Sequence, residues 1–428
     1  MKIGNGLDGT TTSKRPCPLC GSHKAELLVD FTMRDFDGVS LDNRVQIILC
    51  SRCGFVYNDS SVNVASLEQF YENDSLYFGD TSFGTGGMTP ADMERYSAYV
   101  DFLRPIISRP EDGDSSASRE KKAAEVPPGD MTIADVGCGK GGFLAFLKNR
   151  GFIDLRGVEI DPKCVEAASR QFGLEITRGS VYGLPFGNQE VDLIIYNNVL
   201  EHLYDLPGAL AEARRVLKDD GMVFVEVPDA PRYSEGRVFD FFWLGMREHI
   251  NHFGPHHLSM FMGNVGFTKV DERRSLMHNS FNCRYPSLCG LFRKKDCSTK
   301  NVRPEYDDEL MQSLGRYVQS ETNRIASHGD RIRDLSRSGR PVYVWGLGLE
   351  FFCLYSLSEL NQCNIRCLVD RNPFKQKRTV NHLPIRGPEC LSSAPQDGAV
   401  VITSVFHEEA MLRYLKDIGF GGEIVTLV

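Results

Sequence analysis

At 428 residues and 41% apolar side chains, the chain is long enough for two or three domains with real cores. A formal charge of -8 leaves no basic footprint, which argues against nucleic acid as a main partner. No run of 18 apolar residues occurs, and the polar start Met1-Lys-Ile-Gly-Asn-Gly6 lacks a signal-peptide core; no membrane partner is expected, and thirteen cysteines without an export signal point to a reducing cytoplasm.

The first chemical signal is a pair of C-x-x-C turns, Cys17-Pro-Leu-Cys20 and Cys50-Ser-Arg-Cys53, separated by 29 residues. Each turn presents two thiolates, and two such turns complete a tetrahedral set of four sulfurs. Gly54 suits the second turn, and the alternation Arg44 to Leu49 is strand-like, as in a zinc ribbon. Four thiolates leave no open position, so a structural Zn2+ is expected on Cys17, Cys20, Cys50 and Cys53, with His23 a loop residue. Neither turn opens a helix in a thioredoxin-like context, which disfavours a redox role.

Leu67 to Tyr71 and Asp92 to Ile107 read as helices, and Pro110 to Asp130 as an exposed flexible loop. From Met131, strand and helix patterns alternate, which predicts a mostly parallel, doubly wound α/β sheet. Within it, Ile133-Ala-Asp-Val-Gly-Cys-Gly-Lys-Gly-Gly142 runs from a strand through spaced glycines into a helix. Glu159 ends the next strand, 22 residues after Gly137. Glycines there let backbone approach a ligand, and an acid at that distance accepts ribose hydroxyls. The D-x-G-x-G-x-G loop, with Gly179 to Phe186 and Val191 to His202, resembles the class I S-adenosylmethionine (SAM) methyltransferases more than the G-x-G-x-x-G of a dehydrogenase-like site. The resemblance implies SAM contacts at Asp135, Gly137, Gly139, Glu159, Ser180 and Asn197. Many relatives carry an acid where this chain has Ser180, whose hydroxyl would meet the adenine edge.

A long helix is expected through Glu309 to Leu335, in an otherwise poorly readable stretch from Met277 to Arg340. A second α/β unit of Rossmann-like character begins at Pro341, with Gly346 and Gly348 at a strand-to-helix turn. The predicted order is a zinc module (1–75), a helical connector and loop (76–130), the methyltransferase core (131–300), a helical connector (301–340) and a C-terminal α/β domain (341–428). That order, with Val369-Asp-Arg-Asn-Pro-Phe-Lys-Gln-Lys377, resembles the sugar C-methyltransferases acting on nucleotide-linked keto-deoxysugars. The resemblance implies a small-molecule nucleotide-sugar partner, with Asp370, Arg371, Asn372 and Lys375 at or near it.

Met246-Arg-Glu-His-Ile-Asn-His-Phe253 is similar to that family's Y-H-E-H-F-S-Y-F, with Met246 and His252 at the two tyrosine positions. Methylating carbon beside a carbonyl needs a base and support for the enolate. His249 fits the base, Glu248 orients it or holds substrate hydroxyls, and His252 would replace a lost hydroxyl. His202 is either support or close to the transferred methyl, while His256 and His257 read as exposed helix-start residues. An H-x-x-H metal site lacks an obvious third ligand. Oxygen or nitrogen acceptors are the alternative to carbon, and a SAM-binding scaffold without catalysis is the alternative to an enzyme.

Overall fold

Short apolar strands at the N-terminus pair into an antiparallel sheet. Its members are β1 (Lys2–Ile3), β2 (Thr10–Thr12), β3 (Lys24–Thr32), β4 (Arg44–Cys50) and β5 (Val56–Asn58), in the order β1-β3-β4-β5 with β2 also on β3. The structure, a computed structural model, describes residues 1–3, 10–75, 86–107, 131–235, 242–278, 284–295 and 306–426. β4 is the strand expected over 44–49, and its last residue, Cys50, opens the second C-x-x-C turn. Helix α1 (Val64–Gln69) is capped by Asn63, whose side chain accepts from the Ser66 N–H, and it runs into a π-helical turn at Phe70–Asp74. Helix α2 (Pro90–Ile107) places Tyr96, Tyr99 and Phe102 three residues apart on one face. Tyr96 stacks on Phe143 at 5.1 Å, and Tyr99 and Phe102 meet Phe224 at 5.3 and 5.9 Å. The loop expected over 110–130 lies outside the described residues.

The central sheet follows as β6 (Ile133–Val136), α3 (Gly142–Lys148), β7 (Leu155–Glu159), α4 (Pro162–Phe172), β8 (Ile176–Arg178), β9 (Val191–Asn197), α5 (Leu206–Val216) and β10 (Leu217–Pro228). Then come α6 (Phe242–Gly245), β11 (Asn251–His252), α7 (Pro255–Asn264), β12 (Phe267–His278) and β13 (Arg284–Lys294). The strand order is β12-β13-β10-β9-β6-β7-β8, parallel from β10 to β8, with β13 and β12 antiparallel. This is the mostly parallel, doubly wound α/β sheet expected from the sequence. The chain reverses direction of growth between β6 and β9, and such a switch point opens a crevice at the strands' carboxyl ends. The hairpin β12–β13 occupies part of the stretch that the sequence left unread.

β11 leaves this sheet's territory altogether. It pairs antiparallel with β5, Asn251 opposite Tyr57 and His252 opposite Val56, and so becomes the edge strand of the N-terminal sheet. Helix α8 (Asp308–Ser338) matches the long helix expected from the sequence, and leads to the C-terminal unit. That unit comprises β14 (Val342–Trp345), α9 (Leu349–Leu357), β15 (Ile365–Val369), β16 (Thr379–Val380), β17 (Leu383–Arg386), β18 (Ala399–Ile402), α10 (Glu408–Asp417) and β19 (Glu423–Thr426). Its order is β16-β17-β15-β14-β18-β19, every pair parallel except β16–β17. The N-terminal module touches it directly: Phe36 meets Phe352 edge-on at 5.0 Å, and Asp37 accepts from Thr379, Asn381 and His382. Among the described residues no helix is long and apolar enough to cross a membrane.

Candidate active site

Three left-handed glycines follow β6: Gly137 (φ +75°), Gly139 (φ +55°) and Gly141 (φ +78°). A Cβ on Gly137 would stand 2.7 Å from the Val199 side chain, and one on Gly142 would stand 2.2 Å from the Gly87 carbonyl oxygen. Only glycine lets residues 86–87 lie on this loop, where Gly142 N–H donates to Gly86 O at 2.9 Å. Glu159, at the carboxyl end of β7, ties the loop down. Its Oε2 accepts from Gly139 N–H at 2.8 Å, and its Oε1 accepts from Ile160 and Asp161 N–H at 2.8 and 2.9 Å. Asp135 Oδ1 is buried without a partner. Burial foremost, then the neighbouring Glu159 charge, pushes the Asp135 carboxyl up to about 7.

These groups open onto a cavity of about 950 Å³ lined by loops and α1 of the N-terminal module, by the strand ends of the central sheet and by the C-terminal unit. Asn197, at the end of β9, lines it and accepts from Tyr99 Oη at 3.2 Å. Ser180, just past β8, also lines it, donating from Oγ to Glu68 Oε1 at 2.6 Å. Arg95 reaches the cavity from α2. It pairs with Asp92 at 2.9 Å, and its Nε is buried with no hydrogen-bond partner.

The middle of the cavity holds His249, Glu248 and His202. The rings of His202 and His249 meet edge-on at 4.5 Å. Tyr71 Oη lies 2.7 Å from His202 Nδ1, and the Glu248 carbonyl oxygen lies 3.2 Å from the same nitrogen. Burial holds the His202 imidazolium down to about 4 and that of His249 well below 6.5, so both rings are neutral at pH 7. Glu201 lies beneath them, 1% exposed, with both carboxyl oxygens unpartnered, and burial raises it well above the carboxylate range. Glu201, His202 and His249 each bring a ligand atom within 4.8 Å of the others; His252, the second histidine of the H-x-x-H pair, is not among them.

The far wall belongs to the C-terminal unit. Asp370 fixes it, its Oδ2 accepting from Leu347 N–H and Lys375 Nζ, each at 3.0 Å, and its Oδ1 from Asn372 N–H at 2.9 Å. Lys375 also donates to Leu347 O at 2.9 Å, which holds the Gly346-Leu-Gly348 turn against the 370–375 loop. Asp370, Arg371, Asn372 and Lys375 all line the cavity, as does Arg378.

The two C-x-x-C turns meet as expected. Cys17 and Cys53 sulfurs lie 3.6 Å apart, Cys20 and Cys50 sulfurs 3.5 Å, and all four lie within 4.8 Å of one another. Each turn closes on a left-handed glycine, with Gly21 N–H on Cys17 O at 2.8 Å and Gly54 N–H on Cys50 O at 2.9 Å. A tetrahedron with zinc–sulfur arms of about 2.3 Å has edges near 3.8 Å, so the donor set suits a closed zinc site.

Two histidines fall elsewhere than the sequence reading put them. His252 does not reach the cavity: after the turn at 247–248 the chain enters extended β11, which sends His252 to Tyr233, 3.0 Å from Oη, where burial lowers it to about 3. His257 is not exposed but fully buried, its Nε2 2.9 Å from the Cys53 carbonyl oxygen. Glu68, Tyr71, Arg95 and Glu201 went unnoticed. Only Glu201 had a local signal, its place in Leu200-Glu-His202 after the fourth strand of the sheet.

Residues 106–272 match a protein family described as "Methyltransferase domain". An uncharacterized methyltransferase of Mycobacterium sp. is 39% identical over 102 residues, covering 23% of this chain and 40% of that protein. A probable S-adenosylmethionine-dependent methyltransferase of Mycobacterium tuberculosis is 24% identical over 186 residues, covering 42% of this chain and 60% of that protein. Among solved structures, a SAM-dependent methyltransferase from Methanosarcina mazei aligns at 18% identity and TM-score 0.33, covering 38% of this chain and 92% of that one. The chain thus spans about 40% of the length of the first of its curated relatives. The matched stretch takes in β6 to β10, the parallel strands of the central sheet.

Proposed function

We propose that the chain is a SAM-dependent methyltransferase acting at carbon on a nucleotide-activated keto-deoxysugar. The observation that supports this most is the single cavity, which runs from the glycine loop past His249 to the 370–375 loop. A cofactor alone needs only the part of that path beside the glycine loop. An acceptor with a charged nucleotide end has use for Arg371, Lys375 and Arg378 on the C-terminal wall.

SAM supplies an electrophilic methyl group on a sulfonium. Asp135, with an orphaned buried oxygen, suits its ammonium or sulfonium charge; the unpartnered Arg95 Nε suits its carboxylate; Glu159 suits its ribose. His249, neutral because it is buried, takes a proton from the carbon beside the sugar ketone. Tyr71, on His202, offers a hydroxyl in the same cavity as Met246, which stands at the family's tyrosine position, and supports the enolate oxygen. His252 has no part in this scheme. The Cys17, Cys20, Cys50 and Cys53 set holds a structural zinc.

The test uses a nucleotide-linked 4-keto-6-deoxyhexose in deuterated water. Deuterium enters beside the ketone without SAM, and a methyl group is gained with it. Neither change, with SAM still bound, would sink the keto-sugar acceptor and leave oxygen or nitrogen. A second reading rests on Glu201, His202 and His249 as cation ligands, the cation polarising an oxygen acceptor; two metal equivalents per chain instead of one would favour it.

Cofactor affinity should depend on pH through Asp135. A cation binds its ionised form, so with a pKa of about 7 the affinity for SAM rises with pH up to that point and falls roughly tenfold per unit below it. Calorimetric titrations from pH 5.5 to 8.5 check this, and a flat profile contradicts it.

A further inference from the structure

The residue at position 180 is a serine where an acid would accept hydrogen bonds from adenine, yet the structure brings a carboxylate to that spot from another element. Glu68, on the last turn of α1, accepts from Ser180 Oγ at 2.6 Å, and both side chains line the cavity with Ile160, Val181 and Tyr182. We propose that Glu68 is the adenine-reading carboxylate of this protein, held in place by Ser180 and supplied from outside the methyltransferase domain.

The placement follows from the strand ends. Glu159 at the end of β7 sits where ribose is held, and the base then extends toward the next strand end, β8, and the loop after it. Adenine shows there an exocyclic amine, a donor that needs an acceptor, and an ionised carboxylate is acceptor only. Ser180 is a positioning residue: its proton goes to Glu68, and its Oγ in turn accepts from Tyr182 N–H at 3.3 Å. α1 itself is seated firmly. Leu67 and Phe70 share one buried cluster with Ile250, and Arg178 at the end of β8 pairs with Glu72 at 2.6 Å. A hypoxanthine base would turn a carbonyl oxygen toward the carboxylate, so the site favours adenine by repulsion as well as attraction.

This proposal rests on the SAM reading of the glycine loop. The test is calorimetric binding of S-adenosylhomocysteine and of its inosine counterpart, with no turnover required. Glu68→Ala should weaken S-adenosylhomocysteine by about 10- to 100-fold and erase the preference for adenine over hypoxanthine. Adding Ser180→Asp to that variant should restore part of both. If Glu68→Ala fails to fold, Glu68→Gln carries the comparison; its amide both donates and accepts, so the two bases should bind about equally. Unchanged affinity and preference overturn the proposal, and so does weaker binding with the preference intact, which marks a merely structural role. Failure of the unaltered protein to bind S-adenosylhomocysteine overturns the cofactor reading along with it.

Discussion

His249→Ala should lower the rate of methyl transfer by about 10²- to 10⁴-fold, the range that general bases contribute, while S-adenosylhomocysteine affinity stays within about twofold. The separation follows from geometry. The proposed cofactor groups come from β6, β7, α2 and the α1–Ser180 contact, whereas His249 comes from the separate 246–250 segment. The same variant should take up no deuterium beside the ketone in the absence of SAM, because proton removal is the step assigned to it. His249→Gln, closer in volume and unable to act as a base, separates lost chemistry from a cavity. Burial also fixes the pH behaviour. A base must be unprotonated, and the His249 imidazolium is held well below 6.5, so at saturating SAM, where the Asp135 titration is masked, kcat/KM for the acceptor should keep its value down through pH 6.5 and fall only at lower pH. An acid limb at 6.5 or above, or full deuterium uptake by the alanine variant, rules His249 out as the base.

Local chemistry explains what the sequence made legible. The glycine loop, the acid at the end of the next strand and the two C-x-x-C turns each carry a short motif of residue types at fixed spacing, which is legible without knowing the fold. The structure brings Glu159 onto the glycine loop and the two turns together. What escaped depends on contacts between distant segments. Tyr71 and His202 are 131 positions apart, Glu68 and Ser180 112, and no periodicity links them. The hairpin β12–β13 was hidden by composition: β12 is largely solvated and carries Lys269, Asp271, Glu272, Arg273 and Arg274, while β13 includes Pro286 and Gly290. His252 shows the same limit in reverse. Its neighbourhood matched a family pattern, but pairing with β5 sent it into the N-terminal sheet, a register no local reading could supply.

That pairing ties the four-cysteine module to the segment that carries His249, the base of the proposed reaction. The segment from Cys50 to Asn58, a turn followed by β5, begins at two of the sulfurs and ends against β11, which starts two residues beyond His249. Phe55 between them packs on Phe253 at 5.6 Å and Phe261 at 5.0 Å, and Cys53 O holds His257. Arg15, two residues before Cys17, donates to Tyr204 O at 2.8 Å and to Asn251 Oδ1 at 3.2 Å, and its guanidinium lies 4.6 Å from the Tyr204 ring. Arg247, beside the catalytic pair, donates to Leu41 O and Asn43 Oδ1 in the same module and pairs with Asp35. Releasing the metal therefore loosens both ends of the segment that aims His249, but leaves β6, β7 and their glycine loop in place. The purified protein should carry one zinc per chain by elemental analysis. Chelation, or Cys53→Ser, should lower kcat by roughly 10²-fold, the cost of an ångström of misalignment, with a much smaller loss of S-adenosylhomocysteine affinity. Zinc returned to the chelated protein should restore turnover. Equal losses of kcat and cofactor affinity would mean that the metal supports the whole fold, and unchanged turnover without metal would detach the module from catalysis.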